Sequence, residues 1–131
     1  MSIKIFLSDV DGVLTDGGMY YAESGDEFKK FNCYDGMGMK LLQDKGYKVG
    51  ILTSEDRMIN RNRAKKLELD FDFHGVNNKL NFIKDFCSKE NLELSEIAYI
   101  GDISKLERCV YKYSIRCRCW ICADHRSLGS T

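Results

Sequence analysis

The chain is predicted to fold as an α/β domain of three layers, with a Rossmann-like parallel sheet covered by helices on both faces. Three observations carry that expectation. Short apolar runs recur along the chain and each breaks off at a polar or glycine-containing loop: Ile3 to Leu7, Lys48 to Thr53, Phe71 to His74 and Glu96 to Asp102. Stretches with helical spacing of apolar residues stand between them, as parallel strands require. The residues suited to chemistry gather where the runs end, which is where parallel strands open into a ligand crevice.

The first run ends in Asp9-Val10-Asp11-Gly12-Val13-Leu14-Thr15-Asp16. Alternation sends Asp9 and Asp11 to the same side, and two carboxylates so close repel unless a cation neutralises them or one takes a proton. A magnesium ion resolves that conflict. Next come Met19 to Ala22 and Glu27 to Phe31, two β-rich segments around the turn Glu23-Ser24-Gly25-Asp26, which together read as a hairpin and a candidate flap over the site. Asp35 is the expected cap of a helix running to Lys45, with Met37, Met39, Leu41 and Leu42 as core filling and Gly46 as its stop.

The second run ends in Thr53-Ser54, where hydroxyls and backbone N–H groups ahead of a helix suit a phosphate. That helix, about Asp56 to Leu67, carries Arg57, Arg61, Arg63, Lys65 and Lys66, of which one or two are placed to meet an acidic substrate. His74 closes the third run as a structural strand-end residue. Lys79 opens the next helix, which extends to about Glu90 with Leu80, Ile83, Phe86 and Cys87 on one face. A cation is unfavourable at a helix N-terminus, so Lys79 points to an anionic partner. The fourth run ends in Gly101-Asp102, a further carboxylate for a hard divalent ion.

The first motif, taken with the ordered strand ends Asp9, Thr53, Lys79 and Asp102, resembles the haloacid dehalogenase (HAD) superfamily of phosphatases. The stretches Asp-Val-Asp-Gly-Val-Leu-Thr-Asp-Gly-Gly, Phe-Lys-Lys-Phe-Asn, Val-Gly-Ile-Leu-Thr-Ser-Glu and Ala-Tyr-Ile-Gly-Asp narrow the resemblance, over roughly residues 3 to 108. They are similar to the branch without a cap domain that acts on 3-deoxy-manno-octulosonate 8-phosphate and on nine-carbon ulosonate (KDN, sialic acid) 9-phosphates, a domain also found with acylneuraminate cytidylyltransferases.

The resemblance implies that Asp9 is the phosphoryl-accepting nucleophile and Asp11 the general acid/base, with Lys79 steadying both nucleophile and phosphoryl group. It places Thr53, Ser54 and Gly12 around the phosphate. Mg2+ is implied as cofactor, on Asp9, the Asp11 carbonyl and Asp102. Glu55, Arg63 and Lys66 match positions associated with substrate choice. The implied assembly is a homotetramer built through the hairpin, in which a neighbouring subunit completes the pocket. Glycine-rich nucleotide loops and an inserted cap are missing from the first motif's surroundings, which speaks against a cytidylyltransferase or a phosphoglucomutase-like transferase.

Two departures stand out. Asp102 is followed by Ile103-Ser104-Lys105, where the superfamily pattern has further acidic residues, and losing such metal-supporting groups reduces metal affinity or activity by roughly ten- to a hundred-fold. The whole chain lacks proline, and from Lys105 onward six Lys or Arg face only Glu107 and Asp124. A second reading follows from these departures: a non-catalytic or weakly active oligomerisation or regulatory domain related to the one appended to acylneuraminate cytidylyltransferases.

The 131 residues are expected to form one domain, 1–131, with an atypical Cys/Arg-rich tail at about 109–131 in which Ser114 to Ile121 alternate like a fifth strand. Twenty Lys plus Arg balance twenty Asp plus Glu, so nothing favours nucleic acid or a membrane surface as partner, and a small-molecule sugar phosphate remains. No leader-like or membrane-length apolar stretch appears, and the chain is placed in the cytoplasm. Of six cysteines, Cys33, Cys87 and Cys109 read as small core residues; Cys117, Cys119 and Cys122 with His125 match no common zinc framework.

Overall fold

A computed structural model describes residues 2–101 and 119–122 of the chain, the latter as backbone only. Five strands form one sheet in the order β5-β4-β1-β6-β7: β1 Ile5–Ser8, β4 Lys48–Leu52, β5 Phe71–Phe73, β6 Ile97–Gly101 and β7 Cys119–Cys122. The strands β5, β4, β1 and β6 are parallel, with Ile5 beside both Lys48 and Ile97, so their C-terminal ends share one edge. The sheet is nonetheless mixed, because β7 runs antiparallel to β6, Cys119 opposite Gly101. This edge strand overlaps the expected fifth strand at its C-terminal end; residues 114–118, Asp102 and the remaining tail positions lie outside the described residues.

Three layers follow from the pleat. Along β1, Ile5 and Leu7 point one way, into a core with Leu52, Ile97, Tyr99 and the α3 residues Ile83 and Cys87 (α3, Lys79–Glu90). On the opposite face Phe6, Val49 and Ile51 meet Met39 of α1 (Cys33–Asp44) and Ala64 of α2 (Met58–Lys66). Gly50 is required within β4, since a Cβ there would stand 2.5 Å from that of Phe71 on the neighbouring strand. Between β1 and α1 the chain makes only a loop and the two-stranded hairpin of β2 (Tyr20–Tyr21) and β3 (Glu27–Phe28).

Several expectations shift. The cap of α1 is Asn32, whose side chain accepts from the Tyr34 N–H at 2.8 Å; Asp35 falls inside the first turn, where its charge still suits the helix dipole. Within α1 only Met39 is buried of the two methionines: Met37 is 60% and Leu41 63% exposed, because 100° per residue carries 37 and 41 to the outer side. Cys33, at the first position of that helix, is exposed rather than in the core, whereas Cys87 is buried. Helix α2 begins at Met58, two residues later than expected, since Arg57 is extended and makes no side-chain cap.

Candidate active site

The parallel strand ends bring Asp9, Asp11, Thr53 and Lys79 to one edge. Asp9 leaves β1 with its N–H bonded to the Ile100 carbonyl at 2.8 Å, which ties the loop to the end of β6. Its side chain, 4% exposed, accepts the Val10 N–H through Oδ1 and meets Lys79 Nζ through Oδ2 at 2.9 Å. The following loop folds back on itself. Val13, Leu14 and Thr15 all direct N–H groups to the Val10 carbonyl, and Thr15 Oγ1 accepts from Gly12 and Gly17 at 3.2 Å each. Gly12 has φ +78°, a conformation that a side chain would strain.

Lys79 resolves its unfavourable helix position inside the fold. Asn78 caps α3 by accepting from Asn81, which leaves the Lys79 side chain to turn inward, where it is 1% exposed. Its ammonium donates to Tyr99 Oη at 3.1 Å and pairs with Asp9. Gly101, two residues along β6 from Tyr99, leaves the space that the phenol occupies; a Cβ there would collide with the hydroxyl.

Thr53 is buried at the end of β4, bonded from its N–H to the Phe73 carbonyl and from Val76 N–H to its own carbonyl. Its hydroxyl accepts the Glu55 N–H at 3.3 Å, so Thr53, Ser54 and Glu55 form a tight turn ahead of α2. Glu55 reaches a residue that sequence reasoning missed, Lys29, at the end of the hairpin. Lys29 Nζ lies 2.6 Å from Glu55 Oε2, 2.9 Å from Asp11 Oδ1 and 3.3 Å from Asn60 Oδ1, and its side chain is 1% exposed. Burial opposes the charge on Lys29, but the carboxylates of Glu55 and Asp11 outweigh it and raise its pKa above the ordinary 10.5. The same hydrogen bond from Lys29 is the main reason that Glu55 is held below 4.5.

The two aspartates thus meet different enclosed lysines, Asp9 the ammonium of Lys79 and Asp11 that of Lys29, which Glu55 shares. The hairpin strands themselves are exposed, with Tyr20, Tyr21 and Phe28 facing solvent, while Lys29 pins their end to the loops after β1 and β4. The hairpin pattern and the stretch Phe-Lys-Lys-Phe-Asn mark that segment, but a lysine in a polar hairpin carries no local mark of burial.

Other predicted residues stand apart. Arg63 and Lys66 belong to the last turn of α2, roughly 7 to 12 Å along the axis from its first residue. Arg63 donates to the Asn32 carbonyl at 3.2 Å and stacks 5.3 Å over Phe31, at the start of α1. Lys66 is exposed. His74 lies between Asp72, 3.2 Å from Nδ1, and Asp56, 3.9 Å from Nε2, consistent with a structural place at the strand end. Among the described residues no three His, Cys, Asp or Glu side chains are grouped to hold a metal, and Asp102 lies outside them. The donors that are described, the Asp9 carboxylate and the Asp11 backbone, are oxygens, which suit a hard divalent cation. No helix among these residues is long and apolar enough to cross a membrane.

The sheet order, the β1–α1 interval that holds only a loop and a hairpin, and the aspartates at the end of β1 are those of a HAD-type α/β fold, with no cap domain among the described residues. Its solved neighbours bear this out. A HAD-superfamily (subfamily IIIA) hydrolase from Legionella pneumophila superposes with a TM-score of 0.72 at 36% identity, over 76% of this chain and 55% of that one. Within that fold the chain is similar to 3-deoxy-D-manno-octulosonate 8-phosphate phosphatases. The Haemophilus influenzae enzyme is 37% identical over 103 residues, 79% of this chain and 57% of that protein. The Moraxella catarrhalis enzyme, solved with a magnesium ion, a phosphate ion and a KDO molecule, gives a TM-score of 0.72 at 38% identity, over 76% of this chain and 57% of that one. The chain therefore spans little more than half the length of these relatives. No family model matches it.

Proposed function

We propose that the chain is a magnesium-dependent phosphomonoesterase acting on an acidic sugar phosphate, a 3-deoxy-ulosonate 8- or 9-phosphate, through an aspartyl-phosphate. The observation that carries this reading is the buried Asp9–Lys79 pair at the end of β1, with Asp11 two residues away. A carboxylate held at 2.9 Å by a lysine whose side chain is enclosed is fixed in orientation, as an in-line nucleophile requires.

Asp9 attacks phosphorus as the bond to the sugar oxygen breaks, and Asp11 gives its proton to the departing oxygen. Water then attacks the same phosphorus, Asp11 takes a proton from that water, and the bond from phosphorus to Asp9 breaks to release phosphate. Lys79, with the Thr53 and Ser54 hydroxyls and the Gly12 loop, orients the phosphoryl oxygens. Asp9, the Asp11 carbonyl and Asp102 would hold Mg2+, which when bound offsets the combined negative charge of phosphate and carboxylate. Glu55 meets the sugar from beside Asp11. Arg63 and Lys66, at the far end of α2, reach a substrate that extends along that helix or one shared with a neighbouring copy.

Phosphate release should be measured with magnesium from 3-deoxy-D-manno-octulosonate 8-phosphate, nine-carbon ulosonate 9-phosphates and hexose phosphates, alongside Asp9→Asn. Release confined to an ulosonate phosphate and lost in the variant supports the reading. Turnover by Asp9→Asn refutes the nucleophile.

A second reading, a non-catalytic oligomerisation or regulatory domain, is favoured by the exposed Tyr20, Tyr21 and Phe28 of the hairpin. Exposed aromatics of this size on a two-stranded hairpin suit an interface between copies. Light scattering tests it: a tetramer without phosphatase activity selects this reading, and a monomer counts against both.

A further inference from the structure

We propose that Lys29 is a positioning residue for the reaction: it orients the Asp11 carboxylate by holding Oδ1, so that Oδ2 is the oxygen that carries the proton to the leaving group. This rests on the reading of Asp11 as the general acid. The geometry makes Lys29 a strut between three parts of the fold. It comes from the end of a hairpin whose aromatic side chains face solvent, yet its own side chain is 1% exposed. Its acceptors belong to the loop after β1 (Asp11), the loop after β4 (Glu55) and the first turn of α2 (Asn60).

An ammonium has three protons to donate, and these three acceptors use all of them. Lys29 is therefore saturated by the protein, unlike a lysine that waits for substrate phosphate. Asn60 reinforces the point. It is fully buried and gives its carbonyl oxygen to Lys29, while its Nδ2 has no hydrogen-bond partner among the described residues. A buried amide left half satisfied is costly, and the arrangement persists around Lys29. Asp11, by contrast, is 27% exposed and open to a reacting group. A partly open carboxylate on a short loop has rotamer freedom to lose, and a contact of 2.9 Å at one oxygen removes it.

The test exploits the leaving group. A sugar alkoxide needs a proton as it departs, whereas p-nitrophenolate leaves without one. First-turnover release of the organic product is followed for the 131-residue chain and for Lys29→Met, with magnesium, from 3-deoxy-D-manno-octulosonate 8-phosphate and from p-nitrophenyl phosphate. Lys29→Met should slow the sugar phosphate by roughly 10²-fold, the scale of a displaced general acid, and leave the aryl phosphate within a few-fold. Equal losses on both substrates, or none, would overturn the proposal.

Lys29→Arg keeps the charge and guards against a Met variant that does not fold; a greater loss on the sugar than on the aryl phosphate, smaller than in Lys29→Met, supports the assignment, and parallel loss overturns it. Hydrogen exchange gives a readout free of activity. Amides of Ala22 and Gly25, bonded within the hairpin turn, should exchange faster in Lys29→Met. If the wild type releases no phosphate, the phosphatase reading fails by itself, and unchanged exchange would then remove the strut as well.

Discussion

Lys79→Met tests the buried centre most directly, because methionine keeps most of the stem and removes only the charge. The wild-type pair is 2.9 Å apart with both side chains almost fully enclosed, Asp9 at 4% and Lys79 at 1% exposure. Removing the ammonium leaves the Asp9 carboxylate buried with the Val10 N–H as its remaining hydrogen bond, and leaves Tyr99 Oη without the Lys79 donor. Breaking one side of such a pair costs about 3–5 kcal/mol. A domain of this size has only about 5–15 kcal/mol in total, so the melting temperature should fall by roughly 10–20 °C.

The companion change Asp9→Asn removes the stranded charge, and the double variant Asp9→Asn/Lys79→Met should recover much of the loss. Urea denaturation of all four proteins gives the cycle. A single-variant loss below about 1 kcal/mol, or strictly additive losses, would refute the claim that these two groups neutralise one another in a dry site.

Other outcomes follow from the same geometry. Lys29 has a raised folded-state pKa, so its contribution is fully present below 10.5 and is lost as pH climbs through the folded value above that; Glu55 has a lowered one, so its contribution is present above 4.5 and is lost as pH falls through the folded value below that. Glu55→Gln should therefore flatten the stability profile on the acid side of 4.5, and an unchanged acid limb would contradict the contact. Gly101→Ala should destabilise the fold by about 1–3 kcal/mol, because its Cβ would occupy the place of the Tyr99 hydroxyl, and Tyr99→Phe should relieve part of that cost in thermal melts. Glu96→Gln, which loses an ion pair to a largely exposed Lys4, should lower the melting temperature only slightly, and less still at high salt.

Much of the fold could be read locally. The strands announce themselves as apolar runs because residues of a covered parallel sheet are buried on both faces, and Leu7, Val49, Ile51 and Leu52 prove to be so. The helix stops at Gly46 with φ +94°, as expected of a residue free to adopt it. Misplacements came where a local signal had near-equal rivals: Asn32 and Asp35 are both competent caps, and Met37 and Met39 differ only in which side of α1 they face. Lys79 was legible because a cation at a helix N-terminus conflicts with the dipole, and such conflicts mark partners.

What the sequence by itself determined is the order of the strand ends, hence Asp9, Thr53 and Lys79 along one edge of a parallel sheet. That order depends on chain polarity and apolar periodicity, both of which are local. Only the tertiary structure decided which lysine each aspartate meets. Lys29 reaches Asp11 across 18 residues and Glu55 across 26, and Lys79 reaches Asp9 across 70. Whether a lysine is solvated or enclosed depends on what the rest of the fold places against it. Its own neighbours along the chain do not carry that information.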